Sequence, residues 1–232
     1  MKHLNPSYTV FLIITMFFIS GCYRDYIQNY TGKPFSDKVY HQGPQVIPGK
    51  IQCEYYDLGG EGVAYHDADS INSGSGGLNP SDGSYLNEFR KNESVDISYT
   101  KMDDRIIDNN PYNMVEPDSD QLYVGWTEPG EWMNYSIHVQ KSGMYKWGLM
   151  YTSNHGGIIT LSIDGADLAG PIQIPSTFVR EDSVAWRQWH HWNYIVTDTP
   201  IKLEEGLHIL TLKTVAEGNM NYDYIKFELI NE

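Results

Sequence analysis

Cysteine is almost absent from these 232 residues, with Cys22 and Cys53 the two copies, so a disulfide-stapled scaffold is excluded. Basic residues are scarce, 16 Lys and Arg against 30 Asp and Glu, for a net charge of −14. Such a surface repels phosphate backbones, which excludes nucleic acid as a partner and disfavours a basic patch for anionic lipid. No segment keeps a 3.6-residue apolar period, and no internal repeat is present. Neither a nucleotide-binding glycine loop nor a nucleophile elbow is written in the chain. The eight histidines form no zinc spacing such as His-Glu-x-x-His. His190 and His191, adjacent on an expected strand, point to opposite faces and do not share an ion. His66 reads as a hydrogen-bonded structural residue. One apolar run, Val10 to Ile19, is too short to span a bilayer, which takes about 20 residues.

What the chain does have is aromatic side chains, glycine and carboxylates. Aromatics make up 13%, including 18 Tyr and 6 Trp, and hydrophobic residues 41%. This is a globular composition with enough length for one domain and its core. Residues 1–21 read as a secretory signal, with Lys2 before the apolar run. The run ends in Ile19-Ser20-Gly21-Cys22, which resembles the bacterial lipoprotein box. Lipidation of Cys22 is therefore expected. It would leave no cysteine pair for an internal disulfide, and would anchor the protein at the cell envelope, on the outer membrane or cell surface. Residues 22–48, with Pro34, Pro44 and Pro48 and no periodicity, read as a tether whose tyrosines could pack on the domain.

From Gly49 the periodicity is β. Tyr135, Ile137 and Val139 alternate with polar neighbours, as do Tyr145, Trp147, Leu149 and Tyr151. Ile159, Leu161 and Ile163 lead into Asp164-Gly165, a hairpin signal. Leu203 leads to a turn at Glu205-Gly206, and Ile225, Phe227 and Leu229 share a strand face. The expectation is an all-β sandwich over 49–232. Three stretches read as long loops: Ser70–Glu88, Lys101–Gln121 and Pro175–Ala185.

Six pieces in order carry a family resemblance: Ile51-Gln52-Cys53-Glu54-Tyr55, Gly60 to Asp67, Phe89-Arg90 through Val95-Asp96-Ile97, Val124-Gly125-Trp126-Thr127 with Gly130-Glu131-Trp132, Trp186-Arg187-Gln188-Trp189, and Asn219 to Phe227. From Ile51 to Ile230 the chain resembles a family 6 carbohydrate-binding module. The resemblance implies a jelly-roll β-sandwich that binds polysaccharide or oligosaccharide, with aromatics on loops at one end. Its platform residues map here to Phe89 and Trp186, and its hydroxyl-binding amide to Asn221, with Asn219 as the alternate. It also implies a structural Ca²⁺ site, carried over to Gln52, Glu54 and Asp223. The three long loops depart from the family's size.

The residues themselves leave choices open. Sugars need flat apolar platforms beside planar polar groups. A Trp in a β-sandwich is usually core, so Trp126, Trp132, Trp147 and Trp189 are expected inside. Trp186 follows the polar loop Arg180 to Ala185 and is expected to meet ligand. Phe89 could equally plug the sandwich end, and Arg90 could pair with Glu93 or Asp96 or bond a sugar. Gln52 and Glu54, two apart on a strand, share a face and offer hard oxygen ligands. The acidic pairs Asp103-Asp104 and Asp118/Asp120 read as solvated loops. Three functions follow. The first is non-catalytic glycan binding, passing glycan to polysaccharide-degrading enzymes or transporters. The second is a glycoside hydrolase drawing its two carboxylates from Glu128, Glu131, Asp82 or Glu116. The third is an adhesion protein using a flat apolar sheet face.

Overall fold

The computed structural model describes residues 26–102 and 107–230. The signal segment, Cys22 and the Asp103-Asp104 pair lie outside the described residues. The strands are β1 (Gln45–Ile47), β2 (Gly49–Gln52), β3 (Tyr65–His66), β4 (Ile97–Tyr99), β5 (Leu122–Val124), β6 (Trp132–Val139) and β7 (Gly143–Ser153). They continue with β8 (Gly157–Ile163), β9 (Ala166–Asp167), β10 (Ile172–Ile174), β11 (Asn193–Val196), β12 (Ile201–Leu203), β13 (Gly206–Ala216) and β14 (Met220–Leu229).

They form two seven-stranded sheets. One runs β1-β6-β13-β8-β10, with β3 beside β6 and β9 beside β8. The other runs β11-β7-β14-β5-β4, with β12 beside β7 and β2 beside β14. The fold is the expected all-β sandwich. The period-2 residues supply its filling: Tyr135, Ile137, Val139, Leu161 and Leu210 from one sheet meet Tyr145, Trp147, Leu149, Tyr151 and Phe227 from the other. Asp164-Gly165 makes the expected turn, both residues at positive φ (51° and 78°), as a two-residue hairpin requires.

Two departures matter for function. The expected tether is bound to the sandwich over residues 30–48. β1 adds to β6 in parallel, Lys33 and Leu58 exchange backbone hydrogen bonds, Tyr30 donates to Asp57 at 2.8 Å, and Phe35 is buried in the core. Apolar and aromatic side chains at irregular spacing carry no period, so the sequence pattern allowed for packed tyrosines such as Tyr30 but not for β1 or the burial of Phe35. Secondly, Met114 and Val115 from the stretch between β4 and β5 lie against Trp192, their N–H groups donating to its carbonyl at 2.8 and 3.1 Å. There Tyr123, Met150 and Trp192 form a separate small core with Val115, Tyr194 and Tyr224. This cluster covers the apolar side chains that β5, β7 and β11 present on one face of the second sheet.

Candidate functional site

A cleft of about 540 Å³ opens at one end of the second sheet, within the size range of small-ligand sites. Trp126, Trp186 and Trp189 line it, with Tyr123, His190, Lys101, Asn219 and Asn221 among the other wall residues. The elements behind it explain why these side chains converge. β5 ends at Val124 and β14 begins at Met220, and the two pair at Tyr222↔Val124, so the residues just outside each strand share one rim.

Trp126 is held there against its backbone preference. Its φ is +48°, a region bulky residues rarely enter. The following residue clamps it. Thr127 is buried, its hydroxyl donates to the Met220 carbonyl at 3.1 Å and accepts from the Met220 N–H at 3.1 Å, and its carbonyl accepts from Asn219 N–H. Gly218 must be glycine here: its φ is +64°, and a Cβ would collide with the Thr127 carbonyl.

Trp186 sits on a 3-10 turn, Ala185–Trp189, and is 53% exposed. Asp182 holds that turn from beneath. Its carboxylate accepts from Arg187 Nε at 2.7 Å and Nη2 at 2.6 Å, from Val184 N–H at 3.0 Å, and from His191 Nε2 at 2.8 Å. The Arg187 hydrogen bonds hold the Asp182 carboxyl well below the usual range. Gln188 ties the turn back to the preceding loop through Val179 and the Asp182 carbonyl. Asn221 joins the turn to β14, its Nδ2 donating to the Trp189 carbonyl at 2.8 Å.

The expected residues divide. Trp186, Asn219 and Asn221 come together in the cleft. Phe89 does not join them. It is 3% exposed and packs edge-on against Phe35 (5.5 Å) and Tyr85 (5.3 Å). Arg90 is likewise structural: its guanidinium covers the Tyr56 ring at 3.4 Å, bonds the Tyr56 and Asp57 carbonyls at 2.6 and 2.9 Å, and pairs with Glu93 at 2.8 Å. The plugging and pairing alternatives hold because the bound segment 30–48 supplies Phe35 as a lid. Trp126 and Trp189, expected in the core, are cleft residues, Trp126 being 37% exposed. The positive φ and the 3-10 turn aim them outward, and composition alone signals neither. Trp147 is core as expected. His190 and His191 lie just before β11 and not on the expected strand; their rings contact Asp108 and Asp182 respectively.

Away from the cleft, β2 pairs with β14 in the register Tyr224↔Gln52. A register shift between Tyr222 and Ile225 turns Asp223 inward. Glu54 and Asp223 are both buried, and Gln121 Nε2 bridges Glu54 Oε1 (3.2 Å) and Gln52 Oε1 (3.3 Å). Glu54 Oε2 and Asp223 Oδ1 have no hydrogen-bond partner. Burial first, then the Asp223 charge, pushes the Glu54 carboxyl well up, and burial pushes Asp223 up to about 8. Two orphaned carboxylate oxygens and an amide oxygen are what a hard cation would satisfy. No group of three His, Cys, Asp or Glu that could hold a metal exists among the described residues, so amide and backbone oxygens would have to complete the shell.

The carboxylates proposed for hydrolysis lie elsewhere. Asp82 accepts from Ser84 N–H at 2.9 Å, beside the short helix α1 (Tyr85–Glu88). Glu131 accepts from Ala68 and Glu128 N–H at 3.1 and 2.7 Å. Burial pushes Glu131 up to about 7, but the hollow beside it holds about 10 Å³, room for a water and not for a sugar.

The model of the carbohydrate binding module (family 6) matches residues 98–229. Among solved structures, a family 6 module from Clostridium stercorarium in complex with cellobiose shows 14% identity, a TM-score of 0.49, and coverage of 82% of this chain and 100% of that one. A β-1,3-glucan binding module from Bacillus halodurans shows 14% identity, a TM-score of 0.47, and coverage of 80% and 98%. A module of Cellvibrio mixtus lichenase 5A in complex with cellotriose shows 24% identity, a TM-score of 0.38, and coverage of 47% and 79%. No curated protein matches the chain.

Proposed function

The chain belongs to carbohydrate-binding module family 6, and from that premise we propose that it is a non-catalytic polysaccharide-binding lipoprotein whose site is the tryptophan cleft. The observation that carries this reading is the convergence of Trp126, Trp186 and Trp189 with Asn219 and Asn221 around one opening. Indole faces stack on the C–H face of a pyranose, and amides meet its equatorial hydroxyls. Cys22 would carry the lipid that holds the module at the envelope, where it would pass glycan to degrading enzymes or transporters. Gln52, Glu54 and Asp223 would hold a structural Ca²⁺, a reading supported by the two orphaned carboxylate oxygens. The ion would supply charge neutralisation at a buried seam, with no part in sugar contact.

A glycan array that includes β-1,3- and β-1,4-glucans, run beside a reducing-sugar assay, tests the reading. Retention without release of reducing ends is expected. No retention on any glycan would reject it, and sugar release would favour the hydrolase. Mass analysis of the N-terminal peptide tests the lipid separately: an unmodified Cys22 removes the anchor.

A further inference from the structure

We propose that His190 is a ligand-contacting residue of the cleft, set by the buried carboxylate of Asp108 in the tautomer that offers Nε2 to an unsubstituted sugar hydroxyl. This rests on the glycan-binding reading and adds to it a hydrogen-bond acceptor and a positioning residue.

The tautomer follows from the partners of Asp108. That residue is fully buried. Its Oδ1 accepts from the Trp192 indole N–H at 2.8 Å, and its Oδ2 accepts from the Lys101 backbone N–H at 2.7 Å. Indole and backbone N–H groups only donate, so this carboxylate acts as an acceptor toward both. An oxygen that already accepts from an indole N–H has a second lone pair for a further donor. The contact between His190 Nδ1 and Oδ1 at 3.0 Å therefore carries its hydrogen on the histidine. A neutral imidazole with its proton on Nδ1 has a bare Nε2, which accepts hydrogen bonds.

The exposed edge of the ring faces the cleft. The His190 side chain is 20% exposed, whereas the Asp108 carboxylate on its Nδ1 side is 0% exposed. His190 lines the cleft, and its Nε2 is not among the buried polar atoms lacking a partner. The open nitrogen thus belongs to the wetted wall. The imidazole also stands edge-to-face with Trp186, with centroids 5.9 Å apart and planes at 77°. An acceptor beside an aromatic platform fits a pyranose that stacks and donates a free hydroxyl. Its neighbour Lys101 donates, to Asn79 Oδ1 and Ser98 Oγ at 3.1 and 3.2 Å, so His190 supplies the complementary polarity.

Long-range proton–nitrogen NMR of the histidine rings, on the wild-type chain, reads the tautomer directly. A proton on Nδ1 of His190 is expected, and a proton on Nε2 overturns the assignment whatever the ligand. Titration with laminarihexaose and cellohexaose should shift the Nε2 resonance for the sugar that binds. His190→Asn keeps a donor toward Asp108 and removes the acceptor at Nε2. Its affinity should fall about fivefold to tenfold, the size of one hydrogen bond, with an unchanged near-ultraviolet circular dichroism spectrum reporting an intact Trp186 turn. Wild-type affinity in His190→Asn overturns the proposal. Failure of the wild type to bind any glycan on the array rejects the glycan reading itself, and with it the hydroxyl contact, while the tautomer still decides the role of Asp108.

Discussion

Trp186 and Phe89 were paired by family resemblance and are separated by burial. Trp186→Ala removes an exposed platform and leaves the core untouched. Its glycan affinity, measured by titration calorimetry, should fall at least about tenfold with no change in melting temperature. Phe89→Ala should do the reverse. The ring is enclosed by Phe35, Tyr55 and Tyr85, so its loss should destabilise the fold by about 3–5 kcal/mol in denaturant unfolding, while the folded protein keeps wild-type affinity. Weakened binding at full stability would restore Phe89 to the site.

The 3-10 turn Ala185–Trp189 has no period and little length to stabilise it, so it relies on side-chain bonds from outside itself. Asp182 provides two of them, both to Arg187, and holds the flanking residues Val184 and His191 with two more. Asp182→Asn keeps the size but loses the charge that Arg187 and His191 meet. Both melting temperature and glycan affinity should fall, and the affinity loss should exceed that of a surface control at the same temperature below melting. Because the Asp182 carboxyl lies below its ordinary value, its contribution is present above about pH 4 and lost as pH falls further. Unchanged binding in Asp182→Asn would mean that the turn holds its shape without this hub. The strands show the opposite economy. β6, β7, β8 and β13 were legible because a half-buried strand repeats every two residues. β1 was not, since three residues after an irregular stretch carry too little pattern.

Two predictions concern the whole molecule. A chain starting at Gly49 follows the sequence-based domain boundary but lacks β1, Phe35 and the Tyr30–Asp57 bond. It should lose about 3 kcal/mol or more of stability, and a melting temperature equal to that of the full chain would show segment 30–48 to be a mere tether. The Glu54–Asp223 pair links folding to pH. Burial raises both carboxyls, Asp223 to about 8. A raised carboxyl favours folding while protonated, so chelated protein should be most stable at acid pH and lose stability as pH rises through about 8. Calcium favours the ionised pair and should restore stability at neutral pH. Melting curves with chelator and with Ca²⁺ across this range check both signs, and curves indifferent to chelator would remove the ion from Gln52, Glu54 and Asp223.

By itself the sequence determined the all-β class, the main strands and the Asp164-Gly165 turn, because these rest on local periodicity and local turn chemistry. It also singled out Trp186, Asn219 and Asn221, through motifs that survive as short strings, and the fold brings these three to one cleft wall. Only the tertiary structure decided which aromatics line the cleft. Whether Trp126 or Phe89 is exposed depends on a positive φ held by Thr127 in one case and on Phe35, 54 positions away in the chain, in the other. The same holds for Asp108 and His190, joined across 82 positions. Exposure and hydrogen-bond partnership are properties of the packed chain, and no local pattern of residues encodes them.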